Sequence, residues 1–244
     1  MPVDESGVRL SPLDTNRFGI VVARADGVKR DQVEEVFDFC SSHQVRLLIC
    51  RCSVEDVATT HALSAAGCEL MDTLVYYERD LVKLPVGGEI GGAVAPWERG
   101  DTDQVEAIAR ECFRQYSGHY HADPRLDRDA VTETYASWAR ALCEPADGAF
   151  VLVAGEPGRR VAFSGFRQGP PEVGELVLGA VLPSARGGGL YRKLTVAGMA
   201  RLQSAGARKF ITSTHLGNWS AQASWSAAGL HPYSAHHTFH RWFD

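Results

Sequence analysis

A strand, a basic glycine-rich turn and a helix follow one another between Glu175 and Ala205, and this segment constrains the fold most. The apolar run Glu175-Leu-Val-Leu-Gly-Ala-Val-Leu182 predicts a strand, which Pro183 ends. The turn Arg186-Gly-Gly-Gly189 leads into a predicted helix over 190–205, with Gly206 after it. Backbone N–H groups at a helix start point outward, and the helix dipole favours negative charge there. The segment therefore predicts an anion site on an α/β fold.

The spacing of this turn distinguishes it from two common phosphate-binding loops. It lacks the Lys-Ser/Thr ending of a P-loop and the G-x-G-x-x-G spacing of a dinucleotide fold. It has the pattern Arg/Gln-x-x-Gly-x-Gly/Ala on residues 186–191, where Tyr191 replaces the final small residue. In this it resembles the acyl-CoA loop of the GNAT N-acetyltransferases. The alternative is an ordinary glycine-rich surface turn with solvated basic residues.

Composition excludes several classes of partner. The net charge of −5 argues against a general nucleic-acid binder, and no apolar run approaches the length of a membrane helix. The polar start Met-Pro-Val-Asp-Glu-Ser predicts no secretory signal. The six cysteines lack C-x-x-C spacing, which favours reduced thiols in a cytoplasmic protein over disulfides or zinc. His236 and His240 are expected as half-exposed strand residues, so no metal is predicted.

Hydrophobic patterning divides the chain at the Gly/Pro-rich stretch after Lys83. We expect a domain over 1–84, a linker over 85–92 and a second domain over 93–244. In the first domain the predicted strands are 18–24, 45–52 and 70–77, and the predicted helices are 31–43, capped by Asp31, and 54–66. In the second, the predicted helices are 103–116, 128–142, 190–205 and 220–228, and the predicted strands are 150–154, 161–166, 175–182, 209–214 and 238–243.

The order of elements over 93–244 resembles the GNAT fold. The resemblance implies an α/β (α+β) class with a central mixed, mostly antiparallel sheet. The run Ser64-Ala-Ala-Gly67 after a helix of the first domain is repeated as Ser226-Ala-Ala-Gly229 after the last helix. It predicts that the first domain is a smaller, partial GNAT-like α/β domain without the glycine loop. Chance is the alternative, because Ala and Gly are common.

A finer resemblance concerns the acceptor. The segments 13–19, 67–76 and 119–124 are similar to parts of the TDP-fucosamine acetyltransferases, a group that acetylates sugar-nucleotide amines. In that group the opening segment carries aromatic residues where this chain has Leu13 and Arg17. These short motifs support relatedness more than an identical substrate.

The GNAT resemblance implies acetyl-CoA as co-substrate, held by backbone amides and basic side chains. The pyrophosphate would meet the amides of the glycine loop, and the pantetheine arm would pair with strand backbone where the strand diverges from its neighbour. Asn218 corresponds to a family residue that contacts the arm, and the alternative role for it is a helix cap. The residues so assigned are Val181, Leu182, Arg186, Gly187, Gly188, Gly189, Leu190, Tyr191 and Asn218.

Amide-forming acyl transfer needs a base for the amine and a proton for the leaving thiolate. Glu175 occupies the place of the catalytic glutamate of the histone-acetyltransferase branch and is expected on one strand face with Val177, Gly179 and Val181. Its alternative role is an edge carboxylate paired with Arg or Lys. The family's acidic Tyr is replaced by Trp225, whose indole does not ionise usefully. The acid is then either elsewhere, with Tyr233 and His215 as the nearby candidates, or unnecessary.

The segment 118–125 concentrates polar side chains and is expected to be a loop that lines the acceptor groove. We assign His119, Tyr120 and His121 to the acceptor. The leading hypothesis is an acetyltransferase that acts on a primary amine of a small molecule, such as an amino sugar. The alternative is a non-catalytic module that binds or senses acyl-CoA. The oligomeric state stays open between a monomer and a homodimer.

Overall fold

The computed structural model of the protein describes residues 7–83, 94–144, 146–169 and 172–243, so the predicted linker over 85–92 lies outside the described residues. The strands are β1 (Val8–Leu10), β2 (Val22–Asp26), β3 (Leu47–Ser53), β4 (Glu69–Asp80), β5 (Val94–Pro96), β6 (Ala149–Glu156), β7 (Arg159–Gly169), β8 (Val173–Val181), β9 (Lys209–His215) and β10 (His231–Trp242). The helices are α1 (Pro12–Phe18), α2 (Val33–Ser42), α3 (Val57–Ala65), α4 (Thr102–Phe113), α5 (His119–Ala122), α6 (Arg128–Leu142), α7 (Leu190–Ser204) and α8 (Trp219–Ala227).

The chain forms two compact units that are not two consecutive stretches of sequence. Unit 1 contains Met1–Val75, Ser117–Ala130 and Ser234–Asp244, and unit 2 contains Tyr76–Tyr116 and Val131–Tyr233. The division differs from the predicted domains, because part of β10 belongs to unit 1 and the end of β4 belongs to unit 2.

Unit 1 has the strand order β1-β2-β3-β10-β4. Strand β2 runs parallel to β3, whereas β10 runs antiparallel to β3 and pairs Phe239 with Cys50. Apolar side chains of α2 and α3, such as Val36 and Leu63, are buried with Cys50 and Phe239 in one core. Burial of this apolar surface is the main force that holds the unit together.

The first elements of unit 1 differ from the sequence prediction. Phe18 was expected to open a strand, but it ends α1, and neither α1 nor β1 was predicted. Ser11 caps α1 by accepting the N–H of Asp14, and Gly19 ends the helix with φ +67°. Asp31 does not cap α2, since it lies inside a short 3-10 turn that precedes the helix.

Unit 2 has the strand order β4-β9-β8-β7-β6-β5, in which β5 to β8 are antiparallel neighbours and β8 runs parallel to β9. Helix α7 packs so closely on one face that a Cβ on Gly198 would lie 2.1 Å from the Phe166 ring. Helix α6 covers the other face, where a Cβ on Gly165 would lie 2.6 Å from Leu142. Consecutive strand residues point to opposite faces, so the two helices enclose the sheet. The predicted mixed, mostly antiparallel sheet is confirmed.

Helices α3 and α8 end in the same way. Gly67 and Gly229 follow their helices with φ of +79° and +81°. Each N–H bonds back to a serine carbonyl, of Ser64 in one case and Ser226 in the other, at 3.0 Å. The repeated Ser-Ala-Ala-Gly runs therefore form equivalent helix ends, as glycine at this position permits.

The six cysteines are free thiols, and five of them are buried. None of the helices in the described ranges is long and apolar enough to cross a membrane. Among the described residues, no group of three or more His, Cys, Asp and Glu side chains has the arrangement of a metal site.

Candidate functional site

Strands β8 and β9 are paired only at their starts. The parallel ladder joins Val173–Glu175 to Lys209–Ile211 and ends there, although the strands continue to Val181 and His215. Just beyond the last pair, the Thr212 hydroxyl donates to the Leu176 carbonyl at 3.1 Å. Within the described residues, the later part of β8 therefore makes no ladder pairs with β9, which leaves an edge where an extended ligand can hydrogen-bond.

A β-bulge lies in β8 where the two strands part. Gly165 on β7 pairs with Leu178, and the next residue, Phe166, pairs with Leu176, so Val177 is the extra residue. Bulges of this kind occur next to active sites and re-aim side chains. Paired residues of neighbouring strands share a face. The register therefore places Glu175 with Arg167 on one face and Gly179 with Ser164 on the other. The prediction that Glu175 and Gly179 lie on the same face of the strand is wrong, because the bulge reverses the alternation of side chains between the two faces.

The glycine turn forms the N-terminus of α7, as predicted. Gly189 is the N-cap residue with φ +69°, and Gly187 has φ +89°. The first helical hydrogen bond runs from the Lys193 N–H to the Gly189 carbonyl at 3.0 Å, so the preceding amides have no partner inside the helix. A Cβ added to any glycine of residues 187–189 would meet nothing within 4 Å. The space where these glycines lack a Cβ is therefore open, next to amides that have no partner inside the helix.

The end of β8 presents one backbone group to the open side. The Val181 carbonyl accepts from Arg186 Nε at 3.1 Å and from Cys112 Sγ at 3.4 Å. The Leu182 N–H is used by the Val161 carbonyl at 2.9 Å. The Leu182 N–H is thus used by the neighbouring strand, whereas the Val181 carbonyl is held by two side chains that a ligand would have to displace. Burial raises the pKa of the Cys112 thiol, which keeps it protonated.

Asn218 joins the start of α8 to β9. Its Oδ1 accepts the Ala221 N–H at 3.3 Å, and this is the helix-cap role. Its Nδ2 donates to Thr214 Oγ1 at 2.9 Å, and the same hydroxyl lies 3.2 Å from the Tyr116 hydroxyl. These contacts hold polar groups beside the end of β9 that faces the opening.

The two catalytic candidates lie along the paired part of β8 and β9, with Glu175 in its last pair, where the strands part. Glu175 accepts from Arg167 through Nε at 3.0 Å and Nη2 at 2.5 Å, and it is about one-third exposed. Tyr233, in β10, is 45% exposed, and its ring lies 5.2 Å from the Lys209 ammonium. Lys209 pairs with Val173 at the start of the ladder, so Tyr233 lies beside the paired end and not beside the opening.

The side chain of Tyr191 lies against β8 at Gly179, although the sequence assigned only its backbone to a ligand. Its Cε2 lies 3.1 Å from the position that a Cβ on Gly179 would take, and its ring centroid is 6.4 Å from that of Trp225. Burial raises the pKa of the phenol, the Trp225 side chain acts in the opposite direction, and Tyr116 adds to the increase. The absence of a side chain at Gly179 makes room for the large residue that departs from the loop pattern.

The segment predicted as an acceptor loop contains the one-turn helix α5, and its side chains are buried. Exposure is 7% for His119, 6% for Tyr120 and 8% for His121. The Tyr120 hydroxyl donates to Asp14 at 2.6 Å and also contacts the Arg24 guanidinium. Burial raises the pKa of this phenol to about 12. The acceptor role of these residues stays a prediction, and the contacts give Tyr120 a structural role in unit 1.

A second buried chain of polar groups begins at His119. Its Nδ1 lies 2.9 Å from His240 Nε2, and His240 Nδ1 lies 2.6 Å from Asp123 Oδ2. The Trp242 indole N–H donates to the same carboxylate oxygen at 2.9 Å. Burial, followed by the neighbouring His240, lowers the pKa of His119 well below the usual histidine value. The expectation that His240 is half-exposed is wrong, since only 1% of it is accessible. The sequence gave no signal for this cluster, because His119 and Asp123 are about 120 residues from His240 and Trp242.

Comparisons with known proteins agree with this geometry. No family model matches the sequence. The chain is 23% identical over 127 residues to the spore coat polysaccharide biosynthesis protein SpsD of Bacillus subtilis, a match that covers 50% of this chain and 41% of that protein. A GCN5-related N-acetyltransferase from Sphaerobacter thermophilus aligns with a TM-score of 0.67 at 12% identity, over 96% of this chain and 76% of that one.

A tandem GNAT protein from the clavulanic acid biosynthesis pathway aligns with a TM-score of 0.60 at 14% identity, over 91% of this chain and 75% of that one. At such low identity a structural match shows the fold and leaves the substrate open. These alignments show that the chain has the fold of the GNAT acyl-CoA N-acyltransferases.

Proposed function

We propose that the protein is an acyl-CoA-dependent N-acyltransferase that moves an acetyl group from acetyl-CoA to a primary amine of a small molecule. The observation that carries the proposal is the edge of β8 left unpaired beside β9, with the glycine turn of residues 187–189 at its end. An extended pantetheine arm can complete that edge, while a pyrophosphate meets the amides at the start of α7. Arg186, Arg192 and Lys193 supply positive charge near this turn.

The acceptor proposal is a small polar amine, and an amino sugar or a sugar nucleotide fits it best. Its support is the resemblance of short segments to the TDP-fucosamine acetyltransferases and the match to a protein named for polysaccharide biosynthesis. Because that match spans 41% of the other protein, its activity as a whole is not transferred to this chain.

We further propose that the first part of the chain is a partial copy of the same fold. Helices α3 and α8 end with equivalent glycine geometry. Each end is also covered by an arginine, which belongs to β10 in the case of α3 and to β4 in the case of α8. Arg241 Nη1 would lie 2.6 Å from a Cβ on Gly67, and Arg79 Nη1 would lie 3.3 Å from one on Gly229. Duplicated elements with the same neighbours support a common origin more than chance repetition of small residues does.

A screen of amines with acetyl-CoA tests the function. We expect free CoA thiol to appear when amino sugars or sugar-nucleotide amines are supplied, at a rate well above the rate without amine. Detection of the thiol with a disulfide reagent gives the rate, and mass spectrometry gives the acetylated product. If acetyl-CoA raises the melting temperature but no amine in a broad panel releases thiol, the alternative of a non-catalytic acyl-CoA module replaces the proposal.

The role of Glu175 is tested in the same assay. As the general base, Glu175 would accept a proton from the amine, and Glu175→Gln should lower kcat by about 10²-fold with acetyl-CoA affinity unchanged. Arg167→Gln is the matched variant, since it removes the ion pair but keeps the carboxylate. If Glu175 serves only to pair with Arg167, both variants should leave kcat unchanged and alter stability by less than about 1 kcal/mol, as exposed ion pairs do.

A further inference from the structure

The proposed reaction needs a proton donor that the usual position does not provide. When the amine nitrogen attacks the thioester carbonyl carbon, the C–S bond breaks and its electron pair leaves with sulfur. Protonation of that sulfur favours the forward step. Trp225 stands where the GNAT pattern has a tyrosine, and an indole N–H is a donor that does not give up its proton usefully.

A phenol lies beside this tryptophan from another part of the chain. Tyr191 is the second residue of α7, directly after the glycine turn, and its ring is 6.4 Å from the Trp225 ring. Its edge lies over Gly179, which is four residues beyond the last β8 residue that pairs with β9. The side chain therefore reaches into the stretch of β8 along which the arm of the co-substrate is proposed to run.

The surroundings of Gly179 contain a second polar group without a protein partner. Ser164 Oγ lies 2.6 Å from the position that a Cβ on Gly179 would take. Ser164 is fully buried, and within the described parts of the chain its hydroxyl has no hydrogen-bond partner. A buried hydroxyl that lacks a partner is unfavourable, so a polar atom that reached it would be stabilised. Ser164 and Tyr191 thus both lie against Gly179 on the same face of β8.

The bulge at Val177 separates Gly179 from the proposed base. Glu175 lies on the strand face opposite to Gly179, so a group that takes a proton from the amine and a group that gives one to sulfur approach from different sides. The group that accepts a proton and the group that donates one are kept apart in this way. Tyr233, a candidate expected from the sequence, lies beside the paired end of β9 instead.

We propose that the Tyr191 hydroxyl is the general acid that protonates the departing CoA sulfur. The inference rests on the proposed acyltransferase function. The phenol O–H proton passes to sulfur and gives the CoA thiol, and the proton released by the attacking amine returns to the phenolate through solvent. The net change is thioester plus amine to amide plus thiol, with no other reactant. A tyrosine phenol is protonated at neutral pH, as an acid requires, because its ordinary pKa is about 10.

The test compares Tyr191→Phe with Tyr233→Phe in the thiol-release assay, with an amine that the wild-type protein uses. We expect Tyr191→Phe to lower kcat by about 10²-fold, while the acetyl-CoA Kd from thermal shift stays within about twofold. Tyr77→Phe is the control, because Tyr77 also lies beside Trp225, with ring centroids 5.5 Å apart, and has no assigned part in the reaction, so this variant should retain wild-type kcat. A loss in Tyr233→Phe with wild-type kcat in Tyr191→Phe overturns the assignment. If the wild-type protein binds acetyl-CoA but turns over no amine, the proposed function fails first and the inference fails with it.

A second measurement separates proton transfer from packing. Fluorinated tyrosines placed at position 191 keep the shape of the side chain but make the phenol more acidic. If the phenol donates its proton in the rate-limiting step, kcat should change steadily with phenol acidity at constant Kd for acetyl-CoA. The same kcat across the series would mean that Tyr191 only fills the space over Gly179, and the proposal would be rejected.

Discussion

Replacing Gly189 with valine should abolish the stabilisation that acetyl-CoA gives to the wild-type protein. A ligand at about 100 times its Kd adds about 2.7 kcal/mol to the folded state, which for a chain of this size raises Tm by roughly 5–10 °C. Gly189 has φ +69° at the start of α7, where a β-branched residue is strained, and its missing Cβ leaves open space above the turn. Valine changes the turn and fills the approach to its amides. Thermal melting with and without acetyl-CoA measures the effect.

Gly206 provides the matched control at the other end of the same helix. It has φ +97°, and, as at Gly189, a Cβ added there would meet nothing within 4 Å. Gly206→Val should therefore lower the Tm of the free protein by a comparable amount and keep the full acetyl-CoA shift. A shift that survives in Gly189→Val, or that disappears in both variants, would contradict the assignment of residues 187–189 to the pyrophosphate.

Removal of the Asp14 carboxylate should destabilise unit 1 by about 3 kcal/mol, because a buried charge is left without its partner. Asp14 is 1% exposed and accepts from Arg24 Nε at 2.6 Å and from the Tyr120 hydroxyl at 2.6 Å. Burial alone would raise the pKa of Asp14, but the Arg24 guanidinium holds it below the usual value. Urea denaturation of Asp14→Ala measures the change in the free energy of unfolding.

An exposed ion pair of the same unit gives the comparison. Arg9 and Asp26 lie 2.8 Å apart with side-chain exposures of 38% and 39%. Asp26→Ala should cost less than about 1 kcal/mol, as exposed pairs generally do. Equal losses in the two aspartate variants would mean that the contacts of Asp14 with Arg24 and Tyr120 contribute no more than an ordinary surface pair.

The elements around the glycine turn could be predicted closely from the sequence. Strand β8, helix α7, strand β9 and helix α8 begin and end within two residues of their predicted limits. The signals there are local. Apolar periodicity defines the elements, and Gly189, Gly206 and Gly229 mark the ends of helices through positive φ. The segment before β2 carries a cap signal as well, at Ser11 and Pro12, but the apolar run from Phe18 concealed the end of α1.

The strand face on which a side chain lies, and whether it is buried, could not be predicted from the sequence, because both depend on partners that are distant in the chain. The bulge at Val177 is a property of the register between β7 and β8, and it reverses the face of Glu175 without any mark in the β8 sequence. The burial of His240 depends in the same way on Asp123 and His119, more than a hundred residues earlier. Strand patterns predict alternation, and the pairing decides where alternation is interrupted.

Strands β4 and β10 are each divided between unit 1 and unit 2, and this affects where the chain can be cut. The end of β4 belongs to unit 2, and Ser234–Asp244, with most of β10, belongs to unit 1. A cut between residues 83 and 94 would thus give two fragments that each lack a strand of their own sheet and expose an unpaired strand edge. Such a chain is not a pair of interchangeable modules. Fusion, truncation or recombination at that segment would separate each half from the strand that completes it, whereas co-expressed fragments could restore the fold by complementation.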